Sequence, residues 1–431
     1  MSSVPRDGAM TAVQKPLLNS EKNSDKTDNM KRFLAIILLL VGSNSFAQLL
    51  WQINADTVIQ YYYTDGDEFS ETEINLDKWN HWYGWARSIA SNKEQQYYTD
   101  FMQNHELKNG CLYLSVNKKD VNAKLVDWMN DNDSIKSGKK FNGFNKRDFK
   151  YVAGMIQSKR QFNKGYFEIK FKSPSNKGLW PAFWLYGGTP NEEIDIMELK
   201  GERENQTHVE THCQGCDMVR NPIGQKRSFG GWIKLDGDLN KEFNIVSGLW
   251  ENDEVRYYIN GRCIAVSKVK FDKPKNLVAN VAVADDNGPF HPGPDKEDVS
   301  FEPMVIDYIR VWTKDDSQET HLVMNANDKN AAPANTDAKS KPKMLYGKKK
   351  DHEKDGIFVS LVYSDQNTFK LYCNGLAKKE TYTVKFLLGT EVIYEKTGSD
   401  RELDIPYGIK PGLKIEVEYK GKKAEKVYLT R

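Results

Sequence analysis

Gly165-Tyr166-Phe167-Glu168-Ile169-Lys170-Phe171-Lys172 places Phe167, Ile169 and Phe171 on one side of an extended chain and Glu168, Lys170 and Lys172 on the other. A period of two of this kind predicts a strand with one face on a core and one face toward solvent. The same grammar recurs on either side. Val255 to Val266 reads as a hairpin, with Asn260-Gly261 as the two-residue turn whose backbone matches strand twist. Other short runs rich in Tyr, Phe, Val and Ile are separated by Gly, Asn and Pro, and helical spacing of apolar residues is scarce. The chain is therefore predicted to be all-β, built as a β-sandwich. A break follows Val311-Trp312: residues 314–350 are rich in Asn, Ala, Lys and Asp with little to bury, and read as a linker. Beyond it, Ile357 to Tyr363, Thr381 to Leu388, Glu391 to Lys396 and Leu413 to Tyr419 alternate again. They predict a small C-terminal β-sandwich module over residues 351–431, of unassigned role, whose removal should leave the rest working.

At 431 residues the chain exceeds one ordinary domain, and a formal net charge of +2 gives no reason to expect nucleic acid as a partner. Residues 1–47 read as an N-terminal extension and signal peptide. Lys31 and Arg32 precede an apolar run from Phe33 to Val41 that is too short to span a bilayer, and small Ser45 and Ala47 mark a cleavage site. Export is expected, to the medium, the periplasm or the cell surface, with no membrane span after cleavage. The polar stretch before Met30 leaves open whether translation starts at Met1 or Met30. A monomer is expected. Of the five cysteines, Cys111, Cys263 and Cys373 sit in strand-like segments as small apolar residues; Cys213 and Cys216 form a loop disulfide or stay as thiols.

Chemistry concentrates in Gly178-Leu179-Trp180-Pro181-Ala182-Phe183-Trp184-Leu185 and, after a short loop, Glu193-Ile194-Asp195-Ile196-Met197-Glu198. On a regular strand Glu193 and Asp195 share a face opposite Ile194 and Ile196, and Glu198 would point with the isoleucines. One extra residue in a β-bulge near Met197 would bring Glu198 back to the acidic face. Three carboxylates in a row would then suit a retaining glycosidase, which needs two carboxyl groups about 5 to 5.5 Å apart. A charged neighbour keeps one of them protonated as the acid while the other attacks. Trp180 and Trp184, four apart, share a strand face, where indoles stack on sugars or pack in a core.

These segments resemble glycoside hydrolase family 16, whose jelly-roll, concanavalin-like enzymes carry the Glu-x-Asp-x-x-Glu strand in its bulged, laminarinase-like form. The resemblance runs in family order over residues 64–313. It takes in Asp67-Glu68-Phe69, Tyr83-Gly84-Trp85-Ala86-Arg87, Glu94-Gln95-Gln96-Tyr97-Tyr98-Thr99, Asn109-Gly110-Cys111-Leu112, the catalytic segment, and Ile306-Asp307-Tyr308-Ile309-Arg310-Val311-Trp312. It implies Glu193 as nucleophile, Asp195 as its assistant and Glu198 as acid/base. It also implies Trp180, Trp184, His212, Arg87 and Asn280 at the substrate. No cofactor is implied for catalysis, but a structural calcium is, held by Glu68, Gly110 and Asp307, oxygen donors that suit a hard cation. The substrate implied is a polysaccharide, a β-1,3- or β-1,3-1,4-glucan. Thr207 to Asp217, Gly230-Gly231-Trp232 and Asn280 to Asp286 depart from the usual β-1,3-glucanase pattern. A galactanase on agar, porphyran or carrageenan, a non-catalytic glycan-binding protein, and a transglycosylase using the same residues therefore stand as alternatives.

Overall fold

The computed structural model describes residues 49–124, 146–188, 192–213, 228–271, 273–314, 356–363 and 368–428. The expected signal segment, nearly all of the expected linker and Cys216 lie outside them. The all-β prediction holds, with two large antiparallel sheets packed as a jelly-roll sandwich. In the described residues one sheet runs Ser228–Lys234, Gln206–Cys213, Glu192–Glu198, Leu179–Tyr186, Lys275–Val283, Met155–Phe162 and Trp79–Asn80. The facing sheet has Gly165–Lys172 near its middle, between Asn244–Trp250 and Met304–Thr313. Phe167, Ile169 and Phe171 enter the core between the sheets with Ile194, Ile196, Phe183 and Val246. The hairpin turn is as predicted: Asn260 and Gly261 both have positive φ, 50° and 75°, the pair that a tight antiparallel turn requires.

The other face of Gly165–Lys172 corrects the sequence reading. Glu168 and Lys170 are buried rather than exposed, because the C-terminal strands cover them. Leu49–Ile53 lies between Val58–Asp67 and Ile357–Tyr363 and pairs along its whole length with both. Through it Ile357–Tyr363, Phe369–Asn374 and Glu402–Ile405 continue the same sheet. Phe358 stacks on Tyr166 with ring centroids 4.9 Å apart and meets Tyr258 edge-on at 5.0 Å, in an apolar cluster with Leu249, Tyr308, Trp312 and Tyr372. The C-terminal strands thus finish a sheet and seal an apolar face.

That face also decides the calcium expectation. The Glu68 carboxylate accepts from Arg310 Nε at 2.7 Å and Nη2 at 2.8 Å. Asp307 is 2.8 Å from Lys170 Nζ, which also contacts Glu402 at 2.6 Å. Carboxylates already neutralised by a buried guanidinium and ammonium are poor donors to a hard cation. The set Glu68, Gly110 and Asp307 does not fit calcium, and the charge expected from a metal is supplied by Arg310 and Lys170.

Candidate active site

Glu192–Glu198 is flanked by Leu179–Tyr186 and Gln206–Cys213, and its pairing with both slips by one residue. Asp195 faces Trp184 but Met197 faces Phe183; on the other side Asp195 faces Glu210 and Glu198 faces His208. This is the predicted bulge. It sends Ile194 and Ile196 to the core and turns Glu198 back, so that Glu193, Asp195 and Glu198 line one cavity with Trp180, Trp184, Asn280, Tyr83 and Glu94.

Each acid meets a partner directly across on Gln206–Cys213: His212 opposite Glu193, Glu210 opposite Asp195, His208 opposite Glu198. His208, Glu210 and His212 share a face by simple strand alternation, with Val209 turned into the core. Glu198 Oε1 accepts from Trp180 Nε1 at 3.1 Å, and Oε2 lies 3.0 Å from His208 Nδ1. His208 Nε2 faces Glu210 Oε2 at 3.4 Å. His212 Nε2 is 3.3 Å from Asp195 Oδ2 and 3.9 Å from Glu210 Oε2. Gly230, opposite Glu210, lets the two backbones approach: a Cβ there would lie 2.2 Å from Val209 O and 2.5 Å from Glu210 Cα. The Gly230-Gly231-Trp232 run, read from sequence only as unusual, thus has a structural reason.

Electrostatics separate the groups. Burial, then the charges of Asp195 and Glu210, hold the Glu198 carboxyl well above the usual range, so it is the protonated acid. Trp180, Trp232 and Phe290 form the apolar wall behind that burial, Phe290 stacking on Trp180 at 3.9 Å. His212 goes the other way. Burial works against its charge, but the Asp195 carboxylate 3.3 Å away, with Glu210 and Glu198, pushes it up to about 9. His208, by contrast, is lowered by burial despite Glu210 and Asp195 beside it. One atom each of Glu193, Asp195 and His212 lies within 4.8 Å of the others, a spacing metal ligands can share. With its imidazole raised, His212 itself brings positive charge to this acidic set.

The remaining expected residues fall as follows. Trp184 Nε1 donates to Asn280 Oδ1 at 2.8 Å, and Asn280 Nδ2 donates to Tyr98 Oη at 2.8 Å, so Asn280 fixes the Trp184 indole. Trp180 lines the cavity, with Phe290 against its ring. Arg87 does not line the cavity of the triplet; its guanidinium lies over Trp82, 3.5 Å from the ring centroid, and Nη1 donates to Tyr98 O. Sequence reading missed His208, Glu210, Phe290, Tyr83 and Glu94. The first two were signalled by alternation with His212. Glu94, raised to about 7 by burial, accepts from Ile89 N and Gln96 Nε2 and braces the far wall. Cys213 is disulfide-bonded, and Cys111, Cys263 and Cys373 are free thiols.

Residues 93–286 match the sequence profile described as glycosyl hydrolases family 16. The chain is 26% identical over 278 residues to a glucan endo-1,3-beta-glucosidase A1 of Niallia circulans, covering 57% of this chain and 37% of that protein. It is 27% identical over 265 residues to an endo-1,3-1,4-beta-glycanase, ExsH, of Rhizobium meliloti (strain 1021), covering 58% of this chain and 52% of that one. The chain thus spans about a third to a half of the length of these curated relatives. The solved catalytic domain of an endo-1,3-beta-glucanase (laminarinase) from Thermotoga petrophila RKU-1 is 28% identical, covers 58% of this chain and 97% of that one, and has a TM-score of 0.46. Residues 93–286, which include the bulged acidic strand, thus form a glycoside hydrolase family 16 domain of the laminarinase-like kind.

Proposed function

We propose that the protein is an endo-acting, retaining glycoside hydrolase that cleaves a β-1,3- or mixed β-1,3-1,4-glucan by double displacement. The observation that carries this reading is the bulge that returns Glu198 to the side of Glu193 and Asp195. Glu193 attacks the anomeric carbon while Glu198 gives its proton to the departing oxygen; water then attacks the glycosyl ester with Glu198 as base. Asp195, held by cationic His212, sits between them and keeps the nucleophile oriented. The activities for which the Niallia circulans and Rhizobium meliloti relatives are named support the glucan. Export is part of the proposal, supported by the Phe33 to Val41 signal pattern and the disulfide at Cys213. Among the described residues no helix is long and apolar enough to cross a membrane.

The test is oligosaccharide release by residues 48–431 on laminarin, lichenan, agarose, porphyran and carrageenan, with Glu193→Gln as control. Release from laminarin or lichenan, lost by at least about a thousandfold in the control, is expected. Release from a galactan alone would replace the substrate, and full activity in the control would remove Glu193 from its role.

A further inference from the structure

The acid/base does not stand alone. Glu198, His208 and Glu210 form a buried line, with Glu198 Oε2 3.0 Å from His208 Nδ1 and His208 Nε2 3.4 Å from Glu210 Oε2. All three are nine-tenths or more buried, and His208 is 1% exposed. A neutral imidazole carries one hydrogen, so the two carboxyl groups compete for it, and the nitrogen that keeps it decides what Glu198 meets. We propose that Glu210 is a positioning residue for the acid/base: it holds the single hydrogen of His208 on Nε2, leaving Nδ1 bare to accept the carboxyl hydrogen of Glu198. The inference deepens the glycosidase reading and rests on it for its catalytic meaning.

Three features of the site favour this arrangement. A neutral carboxylic acid has one donor and one acceptor oxygen, and the two contacts of Glu198 match that pair. Trp180 Nε1–H donates to Oε1, and Oε2 is left to give its hydrogen to Nδ1. The reverse tautomer would point Nδ1–H at the acid and favour its ionised form, while leaving a bare Nε2 against the Glu210 carboxylate. The wall around His208 is apolar, with Trp232 edge-on at 5.2 Å and Phe290 edge-on at 5.8 Å, so no water shell dilutes the choice.

The charged and titratable groups facing the line are few. Glu198 is influenced by Asp195, Glu210 and His212; His208 by Glu210, Asp195, His212 and Lys200. From the facing sheet Tyr257, whose hydroxyl donates to Glu210 O, feels Asp195 and Glu210. Of these only Glu210 lies at His208 Nε2. Through the cycle His208 keeps its hydrogen. Glu198 turns the hydrogen it shares with Nδ1 away to the departing oxygen in the first step, breaking that contact, and regains one from the attacking water in the second.

The experiment has two arms. Long-range proton–nitrogen spectra of the intact protein, with His208 assigned through His208→Gln, report its tautomer without any substrate. Hydrogen on Nε2 is expected in the native protein, and its transfer to Nδ1 in Glu210→Gln, because an amide can donate to Nε2 where a carboxylate cannot. The second arm is the pH profile of kcat/KM on whichever polysaccharide the native protein cleaves. Glu210→Gln should move the basic limb down by about one pH unit, roughly a tenfold change in the acid's ionisation. Glu210→Ala, which removes the same charge but offers no donor, should move it less. Hydrogen on Nδ1 in the native protein overturns the proposal, as does an unmoved basic limb in a Glu210→Gln variant that has lost rate uniformly. Silence on every glucan removes the substrate reading, and the spectra still decide the role of Glu210.

Discussion

Phe358→Ala tests whether the C-terminal residues belong to the same cooperative unit as the catalytic sandwich. Phe358 has no exposed surface, and its ring centroid sits 4.9 Å from that of Tyr166 and 5.0 Å from that of Tyr258, both on strands of the sheet that faces the catalytic one. Truncating a fully buried phenylalanine costs about 3 to 5 kcal/mol, from lost apolar burial, lost ring contacts and the space left behind. With a urea slope of about 3 kcal/mol per molar for a chain of this size, the midpoint should fall by about 1 to 1.7 M. The assay is urea unfolding followed in parallel by near-ultraviolet circular dichroism, dominated by the catalytic tryptophans, and by residual hydrolysis. Both probes should move together in one transition. If the dichroism and activity midpoints stay where they are in the native protein, the C-terminal strands unfold separately and the argument from the shared apolar face fails.

His212→Gln should lose a pH-dependent share of stability. Since His212 is raised from 6.5 to about 9, its charged form contributes about 3 kcal/mol below pH 6.5, and that contribution fades as pH rises toward 9. The gap in urea midpoint between native and variant should therefore be wide at pH 6 and narrow at pH 9.5; a constant gap would contradict the charged pairing with Asp195. Chelation should do nothing. With Glu68 on Arg310 and Asp307 on Lys170, the melting temperature should be the same in EDTA and in added calcium, and a fall under EDTA restored by calcium would show that these carboxylates take the metal after all.

What was legible in the sequence was what repeats locally. Period-two alternation gave the strands, Asn260-Gly261 gave its hairpin, and the misfit of Glu198 to strict alternation gave the bulge, because each depends on residues a few positions apart. What was not legible depends on pairings distant in sequence. Glu168 and Lys170 looked solvent-facing because nothing in their own strand announces that Phe358 and Glu402 will cover them. The calcium set came from positions matched by resemblance, and a matched position does not say that Arg310 and Lys170 reach the same carboxylates first. His208 and Glu210 lay between the two extremes: their alternation with His212 was visible, but their importance came only from lying opposite Glu198 and Asp195.

The strand Leu49–Ile53 also bears on how the chain is made. Its two partners are Val58–Asp67, which leaves the ribosome with it, and Ile357–Tyr363, which follows only after the whole sandwich has been synthesised. Until those late residues appear, one long edge of backbone donors and acceptors stays open, together with the aromatic surface of Tyr166, Tyr258 and Tyr308. High contact order of this kind slows the last step of folding and lengthens the time for which the nascent protein can stick to a neighbour. A second copy carrying the same Ile357–Tyr363 strand is the best-matched molecule for that edge, so strand exchange between chains is the misassembly to which this architecture is most exposed at high expression.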